Sequence, residues 1–279
     1  MNIKELLEYG KNNLIKKDEP LRLSKILLKN LLKVDDTYLL IHDEELVNEN
    51  IYLKYMEQIK SLNTGIPIQY ITNNQEFMKL NFYVDNNVLI PQPDTEILVE
   101  EIINLCRKNK KNNTTVLDLC TGSGAIGISV AKYVESANVT MLDVSKKAIE
   151  IARKNAINND VIGKCKLMES DMFEELEEKF DLIVSNPPYI KTDVISTLSK
   201  EVQNEPKLAL DGGKDGLKFY KIIIENAYKY LNKDGVLALE IGFDQRESTI
   251  KLFQNTNKYK NIYAKKDLSG IDRVIIANI

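Results

Sequence analysis

The spacing of apolar residues changes along the chain and divides it into a helical first part and an alternating second part. Near the start, apolar side chains recur at helical spacing, as in Ile3, Leu6 and Leu7. This spacing predicts short helices that pack into a small domain of residues 1–75. Residues 76–90 alternate between apolar and polar positions, which predicts a β-hairpin linking this domain to the rest of the chain.

In the remaining domain, residues 91–279, short apolar runs alternate with amphipathic stretches. Predicted strands lie near residues 115–119, 138–142, 166–168, 181–185, 235–241, 260–265 and 272–278. Such alternation predicts the α/β class, with a doubly wound, mostly parallel sheet covered by helices on both faces. Ligands of such sheets bind at the carboxyl ends of the strands, so the residues that follow each strand are candidate site residues.

The most informative of these strand ends carries the sequence Asn186-Pro187-Pro188-Tyr189. Each proline fixes φ and removes a backbone donor, so the loop is stiff and its carbonyls lack local amide partners. An asparagine beside such carbonyls, with an aromatic ring next to it, forms a rigid set of hydrogen-bond acceptors suited to a planar NH2 group. Taken alone, the same residues are also common as a simple loop opening.

A glycine-rich segment lies upstream, where a predicted strand leads into Cys120-Thr121-Gly122-Ser123-Gly124 and then into an apolar helix. Glycines adopt positive φ and let the backbone pass close to a ligand, and the helix that follows offers unpaired amides. Asp143 comes 19 residues after Gly124, at the end of the next predicted strand. Its carboxylate is placed to accept hydrogen bonds from a ribose diol, and Ser145 is the expected N-cap of the next helix.

The pattern Gly122-x-Gly124-x-x-Gly127 followed by Asp143 also fits the dinucleotide fingerprint of a dehydrogenase. Two features speak against that alternative. Asp118 lies inside the preceding strand, where its carboxylate suits a cationic sulfonium cofactor better than a pyrophosphate. A dehydrogenase also has no need of the Asn-Pro-Pro-Tyr loop, so the complete set favours a nucleoside-containing sulfonium cofactor.

Taken together, these motifs resemble the HemK/PrmC family, class I S-adenosylmethionine-dependent enzymes that methylate the glutamine amide of peptide chain release factors. The resemblance covers most of the chain and extends to segments outside the two loops. These segments include Gly65–Ile71, Val88–Glu96, Ser170–Phe173, Glu205–Pro206, Glu240–Gly242, Asp267–Gly270 and Asp272–Arg273. The chain departs from the family pattern at Gln92, where arginine is usual, at Cys120, where glycine is usual, and at Ile271, which often is basic.

The resemblance implies a seven-stranded Rossmann-like methyltransferase sheet with antiparallel C-terminal strands, and a helical domain that helps to hold the protein substrate. It implies that the Asn186 side-chain oxygen and the Pro187 carbonyl accept the two N–H hydrogens of the substrate glutamine, while Pro188 and Tyr189 wall the slot. The implied cofactor is S-adenosylmethionine. Its expected binding residues are Cys120, Thr121, Gly122, Ser123, Gly124, Asp143, Val144, Asp171, Met172 and Asn186.

Composition limits the alternatives. The chain has 279 residues, a net charge of −3 and a single histidine, His42, so a histidine-based metal site or triad is excluded. The acidic balance predicts no direct nucleic-acid contact, and the basic run Arg107–Lys111 is interpreted as a solvated helix end. We therefore expect no bound metal. The family resemblance implies release factors as the protein partners, and we expect the protein to be a monomer.

The three cysteines lack Cys-x-x-Cys spacing, which suits a protein of the reducing cytoplasm. The sequence has no run of about 18 apolar residues, so we expect no membrane span. Two other functions stay open. The Asn-Pro-Pro-Tyr loop also suits methylation of an exocyclic amine of a nucleobase, although such enzymes usually carry a basic channel or a target-recognition domain. The chain could also be a catalytically silent nucleoside-binding scaffold.

Overall fold

A computed structural model of the protein describes residues 1–15, 17–109 and 111–279. These described residues form two compact units. The smaller unit contains Met1–Asn73 together with Ser199–Asn204, and the larger contains Asn74–Leu198 together with Glu205–Ile279. The predicted linker, residues 76–90, therefore lies within the larger unit.

The helices follow the apolar spacing of the sequence. In chain order they are α1 (Ile3–Asn13), α2 (Pro20–Leu32), α3 (Asp36–Ile41), α4 (Glu49–Asn63), α5 (Ile68–Thr72), α6 (Pro93–Asn109), α7 (Ala125–Tyr133), α8 (Lys146–Asn158), α9 (Lys200–Gln203), α10 (Lys207–Leu210), α11 (Lys218–Asn226) and α12 (Arg246–Thr256). Arg107 and Lys108 of the basic run occupy the last turn of α6, whereas Lys110 lies outside the described residues. Within the described parts of the chain, no helix has both the length and the apolar character needed to cross a membrane.

The smaller unit has its own core, formed where α1, α2 and α4 pack together. Leu6, Leu27 and Tyr55 are completely buried in it. The Tyr55 hydroxyl donates to the Leu6 carbonyl at 3.0 Å, so the polar end of this buried ring has a partner. Helix α9 joins this unit from much later in the sequence, because the Asn204 side chain donates to the Gly65 carbonyl at 3.0 Å.

The strands are β1 (Gln75–Phe77), β2 (Leu80–Phe82), β3 (Thr114–Leu119), β4 (Ala137–Asp143), β5 (Cys165–Glu169), β6 (Phe180–Ser185), β7 (Leu231–Glu240), β8 (Lys260–Lys266) and β9 (Asp272–Asn278). Strands β1 and β2 form the predicted hairpin, which is shorter than residues 76–90. Within the described residues the other seven strands form one sheet in the order β5-β4-β3-β6-β7-β9-β8. Neighbours from β5 to β7 are parallel, and β9 is antiparallel to both β7 and β8. The prediction of a mostly parallel sheet with antiparallel C-terminal strands is confirmed.

The order of the strands decides where a ligand can bind. The chain runs outward from β3 through β4 to β5 and then returns to place β6 on the other side of β3. The connections therefore diverge between β3 and β6, which opens a crevice at their carboxyl ends. Both strands are buried along nearly their whole length, as the continuous apolar run Leu182–Val184 illustrates.

Candidate functional site

A cavity of about 250 Å³ opens at the carboxyl ends of β3, β4 and β6. The predicted site residues that line it are Cys120, Gly122, Asp143, Val144, Asp171, Met172, Asn186 and Pro188. The structure thus brings together residues from four separate loops that the sequence placed after strands. Other predicted site residues lie in the same loops but are not among those that line the cavity: Thr121, Ser123, Gly124, Pro187 and Tyr189.

The glycine-rich loop after β3 has a backbone that alternates into the left-handed region, with φ of +60° at Cys120, +55° at Gly122 and +83° at Gly124. A Cβ atom added to Gly122 would meet no heavy atom within 4 Å, so the space beside this residue is open to the cavity. A Cβ added to Gly124 would lie 2.7 Å from Cδ1 of Ile128, so this glycine allows close packing on α7. One glycine leaves room for a ligand, and the other holds the loop against the helix.

Asp118 braces this loop from within the protein and does not line the cavity. Its Oδ2 atom accepts hydrogen bonds from the Thr121 hydroxyl at 2.6 Å and from the Gly127 amide at 2.9 Å. The side chain is completely buried, and this burial raises the pKa of Asp118 to about 7. The two donors act in the opposite direction and favour the charged form. Thr121, a predicted cofactor residue, thus directs its hydroxyl at Asp118.

Asp143 connects the glycine-rich loop to the start of α8. Its Oδ2 atom accepts from the Gly122 amide and its Oδ1 atom from the Ser145 amide, both at 2.9 Å. Ser145 in turn caps α8 by accepting from the Ala148 amide, so the predicted N-cap is confirmed. Burial raises the pKa of Asp143, and these backbone donors partly offset that effect. Because each carboxylate oxygen can accept more than one hydrogen bond, Asp143 keeps acceptor capacity towards the cavity.

Asn186 follows β6 directly and has a fixed side-chain partner. Its Nδ2 atom donates to the Oγ1 atom of Thr95 at 3.2 Å, and Thr95 lies buried in the first turn of α6. This bond turns the NH2 group of Asn186 towards α6. The Oδ1 atom is then the acceptor left for a ligand in the cavity.

The end of this loop is held by backbone and side-chain bonds. The Gln245 side chain donates to the Tyr189 carbonyl at 2.9 Å. The next residue, Ile190, pairs with the segment after α10, since the Gly212 amide donates to the Ile190 carbonyl at 2.8 Å. The Tyr189 hydroxyl is buried, which raises its pKa well above the ordinary value, so it stays protonated at neutral pH.

Comparisons with known proteins agree with this geometry. The model of the methyltransferase small domain matches residues 93–213, and the model of the PrmC N-terminal domain matches residues 5–72. The release factor glutamine methyltransferase of Clostridium acetobutylicum is 41% identical over 91% of this chain and 90% of its own length. That of Fusobacterium nucleatum is 41% identical over 97% of this chain and 76% of its own length.

The chain belongs to the release factor glutamine methyltransferase family. The predicted resemblance is therefore confirmed. The matched methyltransferase domain spans both the glycine-rich loop and the Asn-Pro-Pro-Tyr loop, so family membership decides between a methyltransferase and the dehydrogenase alternative.

Solved structures with a similar fold are also methyltransferases. A methyltransferase from Pyrococcus furiosus superposes with a TM-score of 0.54 over 83% of this chain and 98% of its own, at 18% identity. The catalytic domain of hMettl16, solved in complex with a 3′UTR hairpin, gives a TM-score of 0.60 over 82% of each chain, at 13% identity. At these identities the likeness establishes the shared fold.

Two buried glutamates in this family member were not predicted as site residues. Glu205 accepts from the Ile90 amide at 2.9 Å and so anchors the end of the segment Asn87–Leu89, which lines the cavity. Glu240 ends β7 beside Asn186. The sequence carried a signal for Glu240, because an ionisable residue at the end of a buried apolar strand usually has a specific partner.

The departures from the family pattern have local explanations at Gln92 and Cys120. The Gln92 side chain donates to the Ile90 carbonyl at 3.0 Å, so it supports the same segment that Glu205 anchors. Cys120 is half-buried, lines the cavity and holds a left-handed conformation that favours glycine. Burial raises the pKa of the Cys120 thiol far above its ordinary value, so the thiol stays protonated.

Proposed function

We propose that this protein transfers a methyl group from S-adenosylmethionine to the side-chain amide nitrogen of the glutamine in the Gly-Gly-Gln motif of peptide chain release factors. The observation that carries the proposal is the position of Asn186 at the cavity wall, with its NH2 group bonded to Thr95 and its carbonyl oxygen left as an acceptor. Family membership supports the substrate class. In this proposal the larger unit binds the cofactor, and the smaller helical unit contributes to binding the release factor.

The residues around the cavity fit the cofactor. Gly122 leaves open space where any side chain would intrude, and the Asp143 carboxylate retains acceptor capacity for two ribose hydroxyls. Asp171 and Met172 line the same cavity and are the residues that we propose contact the adenine. When bound, the cofactor supplies an electrophilic methyl group on a sulfonium.

The protein's own contribution is to orient a poor nucleophile. An amide nitrogen is unreactive because its lone pair is delocalised into the carbonyl. The Asn186 Oδ1 atom and the Pro187 carbonyl would each accept one N–H of the substrate NH2 group, which fixes the nitrogen and stabilises the positive charge that develops on it. Pro188, which lines the cavity, excludes water from one side of this slot. In the transfer an N–C bond would form as the bond between the methyl group and sulfur breaks, and the nitrogen would then release its extra proton to solvent.

The direct test uses purified protein and methyl-labelled S-adenosylmethionine. Three acceptors are offered separately: a release factor, the same factor with the glutamine of its Gly-Gly-Gln motif changed to alanine, and bulk nucleic acid. Label on the unaltered factor alone would support the proposal. Label on nucleic acid alone would instead indicate a nucleobase methyltransferase, and no label despite cofactor binding would indicate a silent scaffold.

A further inference from the structure

A buried carboxyl group, that of Glu240, lies directly beside Asn186. Strands β6 and β7 are parallel and in register at Ser185 and Leu239. Asn186 directly follows β6 and Glu240 is the last residue of β7, so the two residues lie side by side at this end of the sheet. Helix α6 packs against β7, and its first turn carries Thr95. Glu240 is 3% exposed and Thr95 4%, so water does not supply their hydrogen bonds.

The three side chains form a small polar cluster. Asn186 donates to Thr95 Oγ1 at 3.2 Å. Burial raises the pKa of Glu240 to about 7, while hydrogen bonding from the Thr95 and Asn186 side chains acts in the opposite direction. A hydroxyl has one proton to donate, so a Thr95 that donates to Glu240 presents only lone pairs to Asn186.

Charged and titratable groups face this cluster from the elements around it. Asp94 of α6 and Arg273 of β9 form an ion pair at 2.9 Å. Asp94 raises the pKa of Glu240 and Arg273 lowers it, so the two contributions oppose each other. Tyr189, from the loop after β6, is protonated at neutral pH and adds no charge. Among the described residues, the Oε2 atom of Glu240 is buried and has no hydrogen-bond partner.

We propose that Thr95 and Glu240 are positioning residues that set which way the Asn186 amide faces. Ionised Glu240 accepts the Thr95 hydroxyl proton, Thr95 accepts from Nδ2 of Asn186, and the Asn186 carbonyl oxygen is thereby presented to the substrate. Protonated Glu240 can donate to Thr95 instead, and the direction of the hydrogen-bond chain is then no longer defined. This inference rests on the proposed function, because it assigns the acceptor that the substrate amide requires.

The first test compares Thr95→Val, which removes the hydroxyl at nearly constant volume, with Thr95→Ser, which keeps it. Thr95→Val should lower kcat about tenfold, the effect expected for losing one oriented hydrogen bond, without changing the Kd for S-adenosylmethionine. Thr95→Ser should recover most of the loss. The matched control is Thr114→Val, which also removes a fully buried hydroxyl. Thr114 is the first residue of β3 and so lies at the end of this strand that is far from the cavity. A Thr95→Val enzyme with wild-type kcat would overturn the inference.

The second test is the pH profile of kcat. Wild-type kcat should fall as pH decreases through about 7, and this limb should disappear in Glu240→Gln. Glu205→Gln serves as a comparison for the pH profile alone, because burial also raises the pKa of Glu205 to about 7 while its carboxylate accepts from the Ile90 amide. This variant should keep the acid limb, whatever its effect on cofactor binding. Persistence of the acid limb in Glu240→Gln would show that another group causes it and would overturn the assignment.

A third measurement separates failure of this inference from failure of the proposed function. The side-chain NH2 signals of Asn186 in a nitrogen–proton correlation spectrum can be identified by their loss in Asn186→Asp. Their exchange with water should be slow in the wild type and several-fold faster in Thr95→Val but not in Thr114→Val. This result needs no substrate, so it decides the inference even for a protein that methylates no release factor. Equal exchange in all three proteins would contradict it.

Discussion

Gly212 lies so close to Tyr189 that a Cβ atom added to the glycine would be 2.7 Å from the Tyr189 Cα atom. The obstacle is backbone, which cannot rotate away as the end of a side chain can. Gly216 approaches the same residue, because a Cβ added there would be 2.5 Å from the Tyr189 carbonyl oxygen. The end of the Asn-Pro-Pro-Tyr loop therefore packs against two glycines, because a side chain at either position would overlap the backbone of Tyr189.

Gly212→Ala should therefore displace this loop. We expect a loss of about 1–3 kcal/mol in the free energy of unfolding from overpacking, and a fall in kcat larger than the change in cofactor affinity. Gly163→Ala is the matched control, since a Cβ there would meet no heavy atom within 4 Å. Urea unfolding and label transfer measure the two effects. Equal stability of the two variants would show that a side chain at position 212 can be accommodated beside Tyr189.

Asn186→Ala should lower kcat by about 10²–10³-fold, by analogy with the loss of one oriented catalytic hydrogen-bond partner. Cofactor affinity should change little, because the loss concerns the substrate amide. Asn255→Ala, an exposed position in α12, controls for the substitution itself. Single-turnover label transfer at saturating cofactor is the appropriate measurement, and near wild-type turnover would remove Asn186 from the mechanism.

Asp143→Ala should act mainly on cofactor binding. Hydrogen bonds to a charged group contribute about 1.5–3 kcal/mol, so the Kd for S-adenosylmethionine should rise about 10- to 100-fold. A ribose contact serves ground state and transition state alike, so kcat at saturating cofactor should change much less. Titration calorimetry gives the Kd, with the exposed α8 residue Glu150 changed to alanine as control. An unchanged Kd would mean that Asp143 only braces Gly122 and Ser145.

The raised pKa of Glu205 predicts a pH dependence of stability. Burial raises this pKa from the ordinary 4.5 to about 7, so between these values the folded protein holds a proton that the unfolded chain has released. Stability from this group is therefore complete below about pH 4.5 and is lost as pH rises to about 7. The loss amounts to at most about 3 kcal/mol, since one pKa unit corresponds to about 1.4 kcal/mol.

Glu205→Gln removes this titration and can keep the hydrogen bond from the Ile90 amide. The variant should be more stable than the wild type at pH 8 and equally stable at pH 4.5. Urea unfolding at both pH values measures the difference. A variant that is less stable at pH 8 would show that the carboxylate is favourably solvated in the folded protein.

Much of the larger unit could be predicted from the sequence because its signals are local. The apolar strand before Asn186, the glycines after β3 and the cap at Ser145 each depend on a few adjacent residues. The antiparallel placement of β8 and β9 came from family resemblance, since strand order depends on distant pairing. The predicted hairpin of residues 76–90 is longer than the observed one, because the apolar alternation continues from Phe82 to Val84 after the pairing of β1 with β2 has ended.

Contacts between segments that are far apart in the chain could not be predicted from local sequence patterns. Thr95 is an ordinary helix residue until the sheet places Asn186 beside it. From the sequence, the Asp118 carboxylate is expected to favour a cationic cofactor. In the structure it accepts hydrogen bonds from Thr121 and Gly127 and so holds the glycine-rich loop in place. The segment Asn87–Leu89 lines the cavity, and its end is anchored by Glu205, which lies more than 100 residues later in the chain.

The inclusion of Ser199–Asn204 in the smaller unit has a consequence for dissecting the gene. The polypeptide leaves that unit after Asn73, returns to it at Ser199 and leaves again after Asn204. A fragment that ends at residue 73 would therefore lack the partners of Lys17 and Gly65, which are Glu201 and Asn204. Exchanging this unit between relatives therefore requires two separate DNA segments to be replaced together. A chimaera with a single crossover after residue 73 would combine the N-terminal helices of one parent with the Ser199–Asn204 segment of the other.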